Sequence, residues 1–134
     1  MENLSLDGLT VLVVEDEVLL AEIVCSDLKD MGASVMMAVN GKDAMKILKT
    51  QEIDLIVTDQ SMPGMTGLQL AEEVRNSDYY KNENLILLTG YDREDIAIKA
   101  PTLIDHITVV NKPIDHEQLE RAIARCVNVN VNVS

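Results

Sequence analysis

Apolar residues alternate along the chain between two rhythms. Residues 10–14 (TVLVV) form a short β-branched run that stops at two acids, which predicts a buried strand. Over 17–31, Val18, Leu20, Ile23, Val24, Leu28 and Met31 recur at helical spacing, and Gly32 stands where a helix stops. Apolar runs at 34–39, 53–58, 85–89 and 107–110 predict four more strands. Between them, Ala44, Met45, Ile47 and Leu48 predict a second helix after Asn40-Gly41. Thr66 with Gln69 makes a capping-box pattern that opens a third, with Leu70, Ala71 and Val74 inward. Residues 91–106 start helically, and Pro101 ends that helix near Lys99. Asp115 with Gln118 caps a last helix, whose stripe is Leu119, Ala122, Ile123 and Cys126.

Strands that read as continuous apolar runs, alternating with amphipathic helices, predict a parallel sheet covered on both faces. Right-handed crossovers narrow this to a doubly wound α/β domain of five strands. The tail VNVNVNVS has the period of an edge strand, but the expectation over 128–134 is a frayed terminus.

The 134 residues suit one domain with its own core. The net charge of −12 argues against a nucleic-acid binder and against attraction to anionic lipid. With no Trp or Phe and three Tyr, stacking platforms are excluded and the core must be aliphatic. Cys25 and Cys126 have neither metal spacing nor a CxxC pattern and read as small hydrophobes. No signal peptide is evident, and no apolar run approaches the ~18 residues of a membrane span. A cytoplasmic protein is expected.

In open parallel sheets, ligands bind beyond the carboxyl ends of the strands. The first strand ends on Glu15-Asp16, the third on Asp59 and the fourth on Thr89; the fifth stops two residues before Lys112-Pro113. Taken singly, each has an ordinary explanation: acids after strands cap helices, and Asp59 precedes a Pro-Gly turn. Together they place three carboxylates, a hydroxyl and an ammonium on one edge. Clustered carboxylates repel one another, and an oxygen-only donor set selects Mg²⁺ or Mn²⁺. With Lys112 and Thr89 beside the cation, these are the parts of a phosphoryl-transfer site. Neither GxxxxGK[ST] nor GxGxxG is present, so a nucleotide is not implied. The phosphoryl group is then expected on another protein, with a carboxylate as its acceptor. Met62 and Met65 read as loop packing, and His106 and His116 as exposed lone histidines without partner spacing.

Four stretches in order carry a resemblance: VLVVEDE at 11–17, DLIVTDQSMPGMTGL at 54–68, LLTG at 87–90 and NKP at 111–113. Over about residues 9–127 the chain resembles the receiver domain of two-component response regulators, with residues 1–8 as an extension. The resemblance implies a flavodoxin-like (β/α)5 fold with strand order 2-1-3-4-5. It implies Asp59 as phosphoacceptor, fed by a histidine kinase or a histidine phosphotransfer protein. Asp16 and Asp59 would bind Mg²⁺ directly, Glu15 through water, and Ser61 through its backbone carbonyl. Thr89 resembles the switch hydroxyl and Lys112 the lysine that pairs with the phosphoryl group, ahead of a cis Pro113. Ser61 and Tyr91 hold the positions that tune slow self-catalysed dephosphorylation. The downstream protein is unspecified.

Three departures stand out. Val109 occupies the place of the usual Tyr or Phe, so the aromatic rotation cannot occur, and Tyr91 is a partial substitute. Asp105-His106 replaces the usual Gly-Ala pair, and Pro101 shortens the fourth helix. The expected function is a stand-alone phosphoacceptor switch rather than an enzyme acting on a free substrate. Alternatives are a receiver cut from a hybrid kinase, a module indifferent to phosphorylation, and a Mg²⁺-dependent phosphohydrolase with Asp59 as nucleophile.

Overall fold

The computed structural model describes residues 2–78, 80, 84–127 and 130–133. In chain order the elements are β1 (Glu2–Ser5), β2 (Thr10–Val14), α1 (Val18–Asp30), β3 (Ser34–Ala38), α2 (Gly41–Thr50), β4 (Leu55–Asp59) and α3 (Gly67–Asn76). There follow β5 (Leu85–Thr89), α4 (Arg93–Lys99), a 3₁₀ turn (Ile104–His106), β6 (Thr108–Asn111), α5 (His116–Cys126) and β7 (Asn130–Val133). Strands β3-β2-β4-β5-β6 form one parallel sheet, which is order 2-1-3-4-5 when its strands alone are counted.

The period-two geometry of strands resolves each apolar run into two faces. Leu12, Val14, Ile56 and Leu87 point to the side covered by α2, α3 and α4, where they meet Ala44, Leu48, Leu70, Val74 and Ile96. Val11, Val13, Val57, Ile86 and Leu88 point to the other side, against Val24 and Leu28 of α1 and Leu119, Ala122 and Ile123 of α5. β4 and β5 are buried along their whole length, whereas edge strand β6 is only partly so.

Local signals set the helix ends. Gly32, at φ +103, closes α1: its N–H donates to Lys29 O and that of Ala33 to Leu28 O, a turn the left-handed backbone allows. The Thr66–Gln69 capping box forms as expected. The Asp115 cap closes instead on the Glu117 N–H. Pro101 follows the end of α4, and Arg93 ties the start of that helix to the 3₁₀ turn through Ile104 O and Asp105.

Several expectations are corrected. Val18 and Ile23 of the α1 stripe are exposed; the buried face is Ala21, Val24, Cys25 and Leu28. Apolar residues surround α1 so widely that their spacing alone does not choose its buried face. Part of the expected frayed tail, Asn130–Val133, is a strand antiparallel to β1. The lone tail lacked a visible partner, and residues 2–5 supply it; residues 128, 129 and 134 lie outside the described residues. The extension also enters the core, since Leu6 is fully buried. β6 runs to Asn111, directly before Lys112. His106 is half-buried, and His116 is exposed but paired with Asp27 and Glu120. Both thiols are free, Cys25 buried and Cys126 half-buried.

Candidate functional site

The parallel sheet delivers its polar residues to one edge because all five strands end there. β2 ends into Glu15-Asp16, and its neighbour β4 ends on Asp59. β5 ends on Thr89, opposite Asn111 of β6, and Lys112 follows. Glu15, Asp16 and Asp59 each offer a carboxylate oxygen within 4.8 Å of the others. Glu15 and Asp59 are buried and Asp16 is exposed, so the cluster opens to solvent on one side.

The charges are only partly balanced. Lys112 Nζ lies 2.6 Å from Asp59 Oδ1. Glu15 Oε1 accepts from the Glu17 N–H at 3.0 Å, while Glu15 Oε2 is buried without a hydrogen-bond partner among the described residues. Burial above all, then the charges of Asp59 and Asp16, pushes the Glu15 carboxyl up to about 7, against the pull of the Glu17 N–H and Lys112. One cation set against three carboxylates leaves the cluster short of positive charge in a small space. The donor set is oxygen alone, and a buried oxygen stands unpartnered; a hard divalent cation answers both conditions. The cluster can hold such an ion.

The hydroxyl and the lysine are held differently. Thr89 is buried, and its Oγ1 accepts from the Tyr91 N–H at 3.1 Å. The Lys112 N–H donates to Thr89 O at 2.9 Å, which joins the lysine to the hydroxyl through backbone. The Lys112-Pro113 peptide is cis. Ser61 begins the exposed loop after Asp59-Gln60. Val109 is half-buried against the α3–α4 core. Tyr91 does not fill that place: its ring is half exposed, with Lys99 Nζ 4.2 Å from its centre.

Three residues near the site were assigned no role from the sequence, although each lies in a stretch that carries the resemblance. Gly67 starts α3 so close to β4 that a Cβ there would stand 2.5 Å from Asp59 O and from Leu87 Cδ1. Gln60 accepts the Leu68 N–H on its side chain and the Gly67 N–H on its backbone, pinning α3 behind Asp59. Asn111 donates from its side chain to Thr89 O and Tyr91 O. Only Gly67, a glycine just after a capping threonine, sits in a spacing that hints at close approach.

The response regulator receiver domain family matches residues 11–124. The transcriptional regulatory protein CrdR of Helicobacter pylori is 29% identical over 118 residues, 88% of this chain and 54% of its own length. The aerobic respiration control sensor protein ArcB of Escherichia coli is 33% identical over 85% of this chain and 14% of its own. The chain thus spans about half of one relative and a small part of the other. Among solved structures, the Vibrio cholerae chemotaxis protein CheY4 superposes with a TM-score of 0.80 at 26% identity, covering 89% of this chain and 98% of that one. No described helix is long and apolar enough to cross a membrane. An acidic pocket able to hold a cation sits where a doubly wound sheet places its ligands, on a chain matched over most of its length: this protein belongs to the response regulator receiver domains, signalling modules of two-component systems.

Proposed function

We propose that Asp59 is the phosphoacceptor of a signalling switch, with a phosphohistidine on a histidine kinase or phosphotransfer protein as donor. The observation that carries this reading is the convergence of Glu15, Asp16 and Asp59 within 4.8 Å, with Lys112 2.6 Å from the Asp59 carboxylate. Glu15, Asp16, Asp59 and the backbone carbonyl of Ser61 would hold Mg²⁺, or Mn²⁺. When bound, that ion neutralises charge on the carboxylates and on the phosphoryl oxygens.

An Asp59 carboxylate oxygen forms a bond to phosphorus as the phosphorus–nitrogen bond breaks. The electron pair of that bond stays on the departing imidazole nitrogen. Lys112 supplies positive charge at the phosphoryl group, and the Thr89 hydroxyl donates to one of its oxygens. Slow loss follows when water attacks phosphorus and Asp59 leaves as a carboxylate. Ser61 and Tyr91 border that approach and tune its rate.

A protein donor suits the surroundings better than a small phosphate ester. Val18, Leu19 and Ile23 stand exposed on α1, which begins just after Asp16, and provide an apolar docking face beside the acids. Such a donor places this chain in the cytoplasm. Incubation with a phosphorylated kinase, or with acetyl phosphate and Mg²⁺, is expected to label the wild type once per chain. Label on Asp59→Asn equal to the wild type overturns the assignment, and sustained turnover of phosphate esters favours a hydrolase.

A further inference from the structure

The segment that follows β5 has little packing to hold it. A Cβ added to Gly90 would meet nothing within 4 Å, and the Tyr91 ring is half exposed. Glycine is also the residue with most backbone freedom to lose. Hydrogen bonds therefore set this turn, and two of them come from one side chain.

The Asn111 amide nitrogen donates to Tyr91 O at 2.6 Å and to Thr89 O at 3.3 Å. Thr89 O already accepts the Lys112 N–H, so the contact that Asn111 supplies by itself is the one to Tyr91. The Tyr91 N–H in turn donates to Thr89 Oγ1 at 3.1 Å. Asn111 thus anchors the carbonyl of the residue whose own N–H, on the other side of its Cα, bonds the Thr89 hydroxyl. A hydroxyl has one hydrogen and two lone pairs. With a lone pair of Thr89 Oγ1 committed to Tyr91, its hydrogen stays free for an acceptor on the Asp59 side.

We propose that Asn111 is a positioning residue for phosphoryl transfer: by anchoring the Tyr91 backbone it holds the Thr89 hydroxyl in its donating orientation. The inference rests on the receiver reading, with Asp59 as acceptor. It differs from a purely structural role in one respect. A positioning Asn111 matters to the chemistry only while Thr89 has a hydroxyl to position.

Asn111→Leu and Asn111→Asp, alone and combined with Thr89→Val, are incubated as the full chain with acetyl phosphate and Mg²⁺. Phosphoryl uptake is followed by intact mass, and folding by circular dichroism. Asn111→Asp keeps the shape and removes the donor, so the test survives if the leucine variant does not fold. Either Asn111 variant is expected to slow uptake about three- to tenfold, the effect of losing one good hydrogen bond. Neither is expected to slow Thr89→Val further. Equal slowing on the Thr89→Val background overturns the role, and so does unchanged uptake in the single variants while the wild type is labelled and Asp59→Asn is not. Absence of label on the wild type overturns the receiver reading itself, and the role of Asn111 with it.

Discussion

The site has two halves, built in different ways. The acid half, Glu15, Asp16 and Asp59, rides on β2 and β4, strands in the interior of the sheet with core on both faces. The hydroxyl half, Thr89 to Tyr91 with Asn111 and Lys112, spans the gap from β5 to the edge strand β6. Beside it lie a seven-residue helix, α4, and a half-buried Val109. Packing fixes the first half, whereas side-chain hydrogen bonds hold the second. The proposed function asks the carboxylates to stay together against repulsion and one hydroxyl to respond to an incoming group. Repelling charges at the ends of interior strands, with the hydroxyl beside the edge strand β6, suit both demands.

The largest expected effect tests that contrast directly. Ile56 lies on β4, beneath the acids, and is fully buried; Ile56→Ala should cost about 2–5 kcal/mol in urea unfolding. Val109→Ala on β6 removes half-buried surface and should cost about 1 kcal/mol. Equal costs would erase the mechanical difference between the halves. A divalent cation provides the next test, since it acts on the acid half alone. A hundredfold excess of Mg²⁺ over its Kd should stabilise the fold by about 2.7 kcal/mol. Asp16→Asn should remove most of that gain and Asn111→Leu none of it, read as the shift in Tm on adding Mg²⁺.

Gly67→Ala is next in size. The new methyl would press on Asp59 O and Leu87 Cδ1, and overpacking of this kind costs about 1–3 kcal/mol. Asp59 must then shift, so the Mg²⁺-dependent rise in Tm should shrink together with the stability. A lower Tm with an unchanged Mg²⁺ response would show that α3 can yield without disturbing the acids.

The acid half was legible in the sequence because its rules are local. An apolar run predicts a strand, and the residue after it lies at the strand's end; Glu15, Asp16 and Asp59 needed nothing more. The cap at Thr66 and the stop at Gly32 are local too. What escaped depends on distance. Asn111 bonds carbonyls 20 and 22 residues away, and the partner strands β1 and β7 are at opposite ends of the chain. Gly67 is required by a backbone that approaches only once the sheet is formed. The orientation of α1 escaped for another reason: its apolar residues cover too wide an arc for spacing to choose between Val18 and Ala21.

One contact joins the helices that lead away from the two halves. α1 follows the acids and carries Asp27; α5 follows Lys112-Pro113 and opens with His116. His116 Nδ1 lies 3.3 Å from Asp27 Oδ2, and Nε2 lies 2.7 Å from Glu120 Oε1. The hydrogen bond to Asp27, with the charges of both carboxylates, raises the His116 pKa above its ordinary 6.5, although burial opposes this. A histidine whose folded pKa is raised stabilises the fold fully below its unfolded pKa and loses that contribution as pH rises through the folded value. Urea midpoints should therefore fall from pH 6 to pH 8 more steeply in the wild type than in His116→Gln. The effect should be the smallest of the four, since the ring is about half exposed and water screens the pair. Parallel slopes would mean that α1 and α5 are tied only by their apolar faces, and that the two halves of the site meet through the sheet alone.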